Sequence, residues 1–139
     1  MTKDTLLDLQ DVTAGYGVMP VLQSQSLQIA RGERVALLGR NGAGKSTMLE
    51  TIMGRTRLFG GTIRLRGEDI SRASIQRRAM LGIGLVPQTR ELFETLTVDE
   101  NLRASRYSRL MLEWAFDAFP RLAERQFAPA NDLSREEQQ

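Results

Sequence analysis

A glycine-rich octapeptide is the segment of this chain with the clearest chemistry. Residues 39–46 are Gly-Arg-Asn-Gly-Ala-Gly-Lys-Ser, which fits the phosphate-loop pattern Gly-x-x-x-x-Gly-Lys-Ser/Thr. In such a loop the backbone N–H groups surround anionic oxygens, Lys45 adds a positive charge, and the hydroxyl of Ser46 is a ligand for Mg²⁺. A polyphosphate suits this combination, so the segment predicts a nucleotide phosphate site.

The residues on both sides of the loop support that interpretation. Residues 35–38 favour a short strand, and residues 47–53 favour a helix that stops at Gly54. A helix that begins at the loop directs its unpaired N–H groups and the positive end of its dipole at one point. The alternative is a glycine-rich turn that fits the pattern by accident, and the strand–loop–helix context disfavours it.

Composition limits the other chemistry open to the chain. Its 139 residues contain no cysteine and no histidine, which excludes disulfides, thiolate metal sites and a histidine general base within this sequence. The formal net charge is only +2, and no dense basic stripe indicates a nucleic-acid partner. No apolar run approaches the ~20 residues of a membrane span, and no apolar signal segment precedes the first strand, so we expect a cytoplasmic protein.

Hydrophobic alternation predicts most of the strands. It predicts strands at 6–10, 21–29 and 62–65, turns at 31–33 and 60–61, and a turn-rich connector over 11–19. An apolar run at 81–87 predicts a further strand with Gln88 at its carboxyl end, where ligands gather in open α/β sheets.

The C-terminal third has the pattern of helices. A helix is also predicted over 71–80, and Thr97 with Glu100 forms a capping-box pattern before the next one. A stripe on one helical face is predicted to be core: Leu110, Met111, Trp114, Ala115, Ala118 and Phe119. Pro120 ends that helix, and a last polar helix is predicted over 121–127.

Four separated segments together resemble the nucleotide-binding domain of ABC transporters. They are Gly15-Tyr16-Gly17, the phosphate loop, Val86-Pro87-Gln88, and Leu133-Ser134 where the family's signature motif opens. Residues 67–70, 82–88, 96–102 and 119–122 are most similar to ATP-binding subunits of branched-chain amino-acid and urea importers. The resemblance covers nearly the whole chain and a little over half of the family's domain.

The resemblance implies a fold and its division. The fold class is α/β: a P-loop NTPase core of the ABC ATPase kind, with an N-terminal antiparallel β-subdomain and a partial helical subdomain, ending before the family's Walker B strand. Residues 1–34 would be the antiparallel β region, 35–96 the P-loop and Q-loop core, and 97–139 the helical subdomain.

The resemblance also implies roles for single residues. Tyr16 would stack on adenine, and Gln88 of the Q-loop would position the attacking water and, with Ser46, the Mg²⁺ ion. The residues that would bind the nucleotide are Tyr16, Gly39, Arg40, Asn41, Gly42, Ala43, Gly44, Lys45, Ser46 and Thr47. ATP and Mg²⁺ are the implied ligands. Permease subunits of an importer, facing residues 90–97 and the helices after them, and a second ABC subunit are the implied partners, with the chain peripheral on the inner face of the membrane.

The chain departs from the family in two places. The degenerate signature reads Leu133, Ser134, Arg135, Glu136 and Glu137, with Arg and Glu in place of two glycines. A carboxylate close to the γ-phosphate on the opposite subunit repels it, so we expect a weakened signature, unless residues 133–139 are simply a polar tail. The Walker B Asp and Glu and the switch His would come later than residue 139, so we expect little hydrolysis by this chain alone.

Three hypotheses follow. The first is the N-terminal portion of an importer's ATP-binding subunit, serving branched-chain amino acids or a related small polar solute such as urea. The second is a catalytically inactive nucleotide-binding fragment or regulatory decoy. The third, an unrelated P-loop GTPase or small kinase, is disfavoured because the guanine motif Asn-Lys-x-Asp is absent from the sequence.

Overall fold

Residues 4–86, 88, 92–104 and 109–134 are described in this computed structural model. They belong to two units, Met1–Leu85 and Val86–Gln139. The elements in chain order are β1 Thr5–Tyr16, β2 Met19–Ala30, α1 Lys45–Met53, β3 Arg57–Leu65, β4 Glu68–Asp69, α2 Ile75–Met80, α3 Val98–Ala104, α4 Arg109–Ala118, α5 Pro120–Glu124 and a 3₁₀ turn Ala130–Asp132.

The first unit is built on one antiparallel sheet. Its strand order is β2-β1-β3-β4, and the three predicted strands are confirmed within β1, β2 and β3. Leu9 lies opposite Leu27 on one side and Ile63 on the other, and both Leu9 and Ile63 are almost fully buried. Burying a side chain of this size contributes about 1.5–3 kcal/mol. The core comprises Leu7, Leu9, Val12, Ala14, Leu22, Met48, Ile63, Leu65 and Ile70, so α1 packs on this sheet through Met48.

Two sequence predictions in the sheet are wrong because of β-bulges. The predicted connector over 11–19 is largely strand: β1 continues to Tyr16, and the chain reverses at residues 17–18. Asp11 has φ 49°, and its N–H donates to Ser26 Oγ at 3.0 Å. The predicted turn at 60–61 lies inside β3, where Gly61 has φ 84° and a Cβ there would lie 2.5 Å from the Asp11 carbonyl oxygen. A bulge interrupts the alternation of apolar and polar residues while strand pairing continues on both sides of it. The sequence pattern at a bulge therefore resembles that of a turn.

Two predicted strands are absent from the described residues. Segments 33–40 and 83–86 are irregular. A strand needs a hydrogen-bonded neighbour, and no other described segment pairs with either of them. The side chains of Val35 and Leu38 are accordingly 44% and 91% exposed. Pro87, the last residue of the second predicted strand, lies outside the described residues. The antiparallel sheet, moreover, includes residues of β3 and β4 beyond the predicted 1–34 region.

Helix α2 is shorter than predicted. It begins at Ile75 instead of residue 71, because the hydroxyl of Ser74 accepts a hydrogen bond from the Arg77 N–H at 3.2 Å and caps the helix there.

The second unit confirms the capping box of α3. Thr97 Oγ1 accepts from the Glu100 N–H at 3.2 Å, and the Glu100 carboxylate accepts from the Thr97 N–H at 2.8 Å. The segment before and at the start of α3 also pairs with the C-terminal part of the unit. The N–H of Val98 donates to the Ala128 carbonyl at 3.1 Å, and the N–H of Ala130 donates to the Leu96 carbonyl at 2.9 Å.

The predicted core stripe on α4 is wrong for most of its described members. Trp114 and Phe119 are 68% and 57% exposed, Ala118 is exposed, and the buried residue is Leu112. The side chains of Leu110 and Met111 lie outside the described part. Helical periodicity identifies an apolar face but not what covers it. The last helix runs over Pro120–Glu124 rather than 121–127, because a proline at the first helical position begins a helix readily.

Candidate functional site

The loop before α1 is the centre of the candidate site. Gly44 immediately precedes α1 with φ 85°, a left-handed conformation that costs an L-residue about 1–2 kcal/mol. A Cβ at this position would also lie 3.0 Å from Leu22 Cδ2 of β2. The loop therefore lies against β2, and the backbone angle favours glycine at residue 44.

Four backbone N–H groups gather where the loop becomes helix. The first hydrogen bond into α1 runs from the Met48 N–H to the Gly44 carbonyl at 2.8 Å. Within the described residues, the N–H groups of Gly44, Lys45, Ser46 and Thr47 donate to no protein acceptor. Unpaired donors at a helix start, together with the helix dipole, form an anion-binding site.

The side chain of Lys45 folds back over the loop. Its ammonium donates to the carbonyls of Gly39 and Arg40, both at 2.8 Å. These two bonds keep the charge beside the loop and leave one of the three ammonium protons for another acceptor. The arrangement concentrates positive charge where a polyphosphate would bind.

Ser46 and Thr47 point into different surroundings. Ser46 is exposed, so its hydroxyl is a suitable hard oxygen ligand for Mg²⁺. Thr47 is buried, and its carbonyl accepts a hydrogen bond from Thr51 Oγ1 at 2.6 Å. Ser46 is therefore open to solvent, whereas Thr47 packs in the interior at the start of the helix.

Tyr16 lies at the end of the hairpin that continues into β2. It pairs with Met19 across the turn, and its side chain is 48% exposed. Arg57 of β3 donates to the carbonyl of Gly17 at 3.4 Å. A cleft of about 310 Å³ borders the loop and β2, which is at the lower end of the usual volumes of small-molecule sites. Its walls are Val21, Leu22, Gln23, Gln25, Leu37, Leu38, Ala43, Gly44, Lys45 and Met48.

The other predicted site residues belong to the second unit. Gln88 is exposed, and the N–H of the buried Leu133 donates to the Ala130 carbonyl at 3.3 Å. Ser134 is exposed, and residues 135–137 of the predicted signature lie outside the described part. The geometry thus brings together residues 39–47, while the roles of Gln88 and of the signature stay predictions.

Two contacts, one beside the loop and one at the far end of α1, were not predicted. Leu22 supports Gly44 from β2, and Arg78 contacts the last turn of α1 through its guanidinium. Leu22 belongs to a correctly predicted strand, but alternation does not indicate which other segment a strand contacts. Arg78 stands in a polar run beside Arg77, where sequence alone indicates a solvated surface.

Two kinds of feature are absent from the described residues. In that part of the chain no helix is long and apolar enough to cross a membrane. The same residues contain no group of three or more carboxylates that could hold a metal ion.

The fold is that of the ATP-binding subunits of ABC transporters. A solved structure described as the ATP-binding subunit of an ABC transporter superposes with a TM-score of 0.79 and 30% identity, covering 96% of this chain and 57% of that one. The family model of the ABC transporter matches residues 22–139. The chain therefore belongs to the ABC transporter family.

Two relatives show how broad that family is. The high-affinity branched-chain amino acid transport ATP-binding protein BraG of Pseudomonas aeruginosa is 35% identical over 143 residues, which cover 96% of this chain and 60% of BraG. The Nod factor export ATP-binding protein I of Rhizobium meliloti is 42% identical over 120 residues, which cover 85% of this chain and 35% of that protein. The chain thus spans less than two thirds of either relative, and their names point to different solutes.

Proposed function

We propose that this chain is the N-terminal part of the ATP-binding subunit of an ABC importer, with ATP and Mg²⁺ as its ligands. The observation that carries the proposal is the loop before α1, where four unpaired N–H groups adjoin the ammonium of Lys45. Membership of the ABC family supports ATP as the nucleotide. The exposed aromatic ring of Tyr16, on the hairpin leading into β2, supports recognition of a base by stacking.

In this proposal the loop binds the phosphate groups mainly through the backbone. The N–H groups of Gly44 to Thr47 donate to β- and γ-phosphate oxygens, and residues 39–43 complete the ring around them. Hydrogen bonds to a charged acceptor are about twice as strong as neutral ones. The ammonium of Lys45 offsets part of the phosphate charge without leaving the loop.

The proposed metal and water contacts each involve one side chain. The Ser46 hydroxyl would hold Mg²⁺, and the bound ion would bridge phosphate oxygens and reduce their negative charge. Gln88 would orient the attacking water in the assembled subunit. A second ABC subunit would pair with this one across the nucleotide, facing residues 133–137. Hydrolysis is therefore proposed for the assembled pair, and we expect little from this chain alone.

The solute and the membrane partner are proposed from relatives and from local resemblance. The name of BraG and the importer-like segments at 82–88 and 96–102 favour branched-chain amino acids or a small polar solute such as urea. Permease subunits would contact residues 90–97 and the helices after them, and within this segment Phe93 is exposed. The chain would then lie on the cytoplasmic face of the membrane without entering it.

A competition assay tests the nucleotide assignment. Unlabelled ligands would displace a fluorescent ATP analogue from the purified chain in the presence of Mg²⁺. We expect ATP to displace it at lower concentration than adenosine or tripolyphosphate, because each of these engages only one of the two parts, the stacking ring or the phosphate loop. Displacement by tripolyphosphate as efficient as that by ATP would contradict the role of Tyr16, and preference for GTP would favour the GTPase hypothesis.

Steady phosphate release separates the two remaining hypotheses about catalysis. The importer-subunit and the inactive-module hypotheses share the loop and both predict ATP retention. Turnover that appears when a full-length ABC subunit is added would support a catalytic pair. Retention of ATP with no turnover under either condition would favour the inactive module.

A further inference from the structure

The guanidinium of Arg78 is buried at the end of α1 that is farthest from the loop. Its side chain on α2 is 3% exposed. Four backbone carbonyls accept its hydrogen bonds: Thr51 at 2.9 Å, Ile52 at 2.8 Å, Ala73 at 3.1 Å and Ser71 at 3.1 Å. Thr51 and Ile52 lie in the last turn of α1, whereas Ser71 and Ala73 belong to the connection before α2. One side chain thus joins two segments that are otherwise far apart in sequence.

A charged group is costly in this position unless its surroundings favour the charge. Burial lowers the pKa of Arg78 below its usual value, and within the described residues no carboxylate pairs with it. The last carbonyls of a helix lack intrahelical partners and form the negative end of its dipole. A planar guanidinium carries five N–H donors in a fixed fork and reaches all four carbonyls, whereas an ammonium has only three donors. The site is therefore built for arginine.

A buried hydroxyl connects this contact to the loop. Thr51 is almost fully buried, and its Oγ1 donates to the carbonyl of Thr47 at 2.6 Å and lies 2.8 Å from Thr56 Oγ1. Thr47 is the last residue of the predicted phosphate site. Because α1 has nine residues, it is only about 13 Å long, and a tilt of about 5° at one end moves the other by about 1 Å. Such a displacement exceeds the tolerance of a hydrogen bond.

We propose that Arg78 is a positioning residue for the phosphate loop. Its hydrogen bonds connect the last turn of α1 to residues 71–73 and thereby fix the direction of the helix axis. The N–H groups of Gly44 to Thr47 at the other end of the helix then stay directed at one point. This inference rests on the proposed function, because it assumes that those N–H groups bind phosphate. The guanidinium itself touches neither nucleotide nor metal.

The ratio of ATP affinity to adenosine affinity is the first test. We expect Arg78→Met to weaken ATP binding by about 10- to 100-fold, as displacements of about 1 Å do in other sites, while adenosine binding changes less than about twofold. Arg78→Lys keeps the positive charge but lacks the forked guanidinium, so its ATP affinity should lie between those of the wild type and Arg78→Met. A purely structural role predicts equal losses for ATP and adenosine.

Arg77→Met is the matched control on the same helix. Arg77 is exposed and pairs with Glu68 at 3.1 Å, so its loss should change both affinities by less than about twofold. If Arg77→Met weakened ATP binding as much as Arg78→Met does, the loss of positive charge would explain both results. That outcome would overturn the proposal.

The amide resonances of the ligand-free chain give a second test that needs no nucleotide. Arg78→Lys should shift the resonances of Gly44, Lys45 and Ser46, and Arg77→Lys should leave them in place. If the wild-type chain retains no ATP, the proposed function fails, yet the loop resonances still decide whether Arg78 positions the helix. Unmoved resonances, or an unchanged ATP-to-adenosine ratio in Arg78→Met, would overturn the inference.

Discussion

Single residues of the loop divide into those that supply charge and those that supply space. Lys45 supplies charge, and its two hydrogen bonds to the loop hold that charge in place before any ligand binds. Gly44 supplies space, since a Cβ would press on Leu22. The pattern of residues 39–46 predicted a phosphate-binding charge at Lys45, whereas the contact between Gly44 and Leu22 was not predicted.

Tyr16 should contribute to ATP affinity only by stacking on the adenine base. Stacking of a base on an aromatic ring is worth about 1–3 kcal/mol, so Tyr16→Ala should weaken ATP binding by about 5- to 150-fold. Tyr16→Phe keeps the ring and should bind nearly as well as the wild type. Isothermal titration with Mg-ATP measures the change.

Tripolyphosphate provides the matched ligand for that experiment. It lacks the base, so its affinity should be the same for Tyr16→Ala and the wild-type chain. A parallel loss of tripolyphosphate affinity would mean that Tyr16 supports the loop instead of binding adenine.

Glu100 should make the stability of α3 depend on pH. Hydrogen bonds from Thr97, first from its backbone N–H and then from its hydroxyl, lower the pKa of Glu100 below its usual value of 4.5. The stabilisation is therefore present above that value and is lost as pH falls through the lower folded-state pKa. Thermal unfolding of the wild type and Glu100→Gln should show a difference in midpoint at pH 7 that shrinks by pH 3. A difference independent of pH would contradict this role.

At the scale of elements, the bulge opposite Asp11 is the feature most sensitive to a small substitution. Gly61→Ala places a methyl 2.5 Å from the carbonyl oxygens of Gln10 and Asp11, at φ 84°. We expect a loss of roughly 2–4 kcal/mol in the free energy of unfolding, from backbone strain and overpacking together. Urea denaturation monitored by the sheet signal in circular dichroism measures it.

Gly60 is the matched control beside it. A Cβ at Gly60 meets nothing within 4 Å, and alanine in a strand is favoured over glycine by about 0.5–1 kcal/mol. Gly60→Ala should therefore unfold at an equal or higher urea concentration. If both variants lose the same unfolding free energy, the β-bulge is not the reason for glycine at residue 61. The two glycines would then behave like those of an ordinary turn.

Elements that depend on residues close together in the sequence were predicted correctly, and elements that depend on distant partners were not. The helix after the loop and the capping box at Thr97 depend on neighbouring residues, and both were predicted. The irregular segment at 33–40 depends on partners elsewhere in a sheet, so its apolar pattern predicted a strand that the described residues do not form. The exposed face of α4 was missed for the same reason, because periodicity does not identify the covering surface.

At the scale of the whole molecule, the exposed apolar segment before the loop should limit solubility. Val35 and Leu38 are exposed beside backbone that no described strand pairs, and unpaired extended backbone promotes association. Leu38→Lys should reduce light scattering of the purified chain, while its unfolding free energy changes by less than about 0.5 kcal/mol because the side chain is already exposed.

Val18→Lys is the comparison for that variant. Val18 is an exposed apolar residue in the two-residue turn of the first hairpin, where the backbone is not an open strand edge. We expect a smaller reduction in scattering than for Leu38→Lys. An equal reduction would mean that added charge alone explains the solubility.

The candidate site as a whole could be predicted only in part. The sequence motif predicted the phosphate loop because its residues are adjacent in the chain, whereas the role of Tyr16 stays a prediction from the family resemblance. The burial of the Arg78 guanidinium could not be predicted, because its acceptors are backbone carbonyls up to 27 residues away. Every residue has a backbone carbonyl, so the residue types do not indicate which carbonyls will accept. The contribution of Gln88 stays a prediction for a similar reason, as it depends on how separate parts of the subunit assemble.

Equilibrium dialysis of labelled Mg-ATP against the folded chain tests the central claim most directly. Lys45→Ala removes a charged donor to phosphate, worth about 1.5–3 kcal/mol, so retention should fall by about 10- to 150-fold. Lys3→Ala removes the only other lysine of the sequence and should bind like the wild type. Absence of ATP retention by the native wild-type chain, or equal retention by Lys45→Ala, would contradict the account.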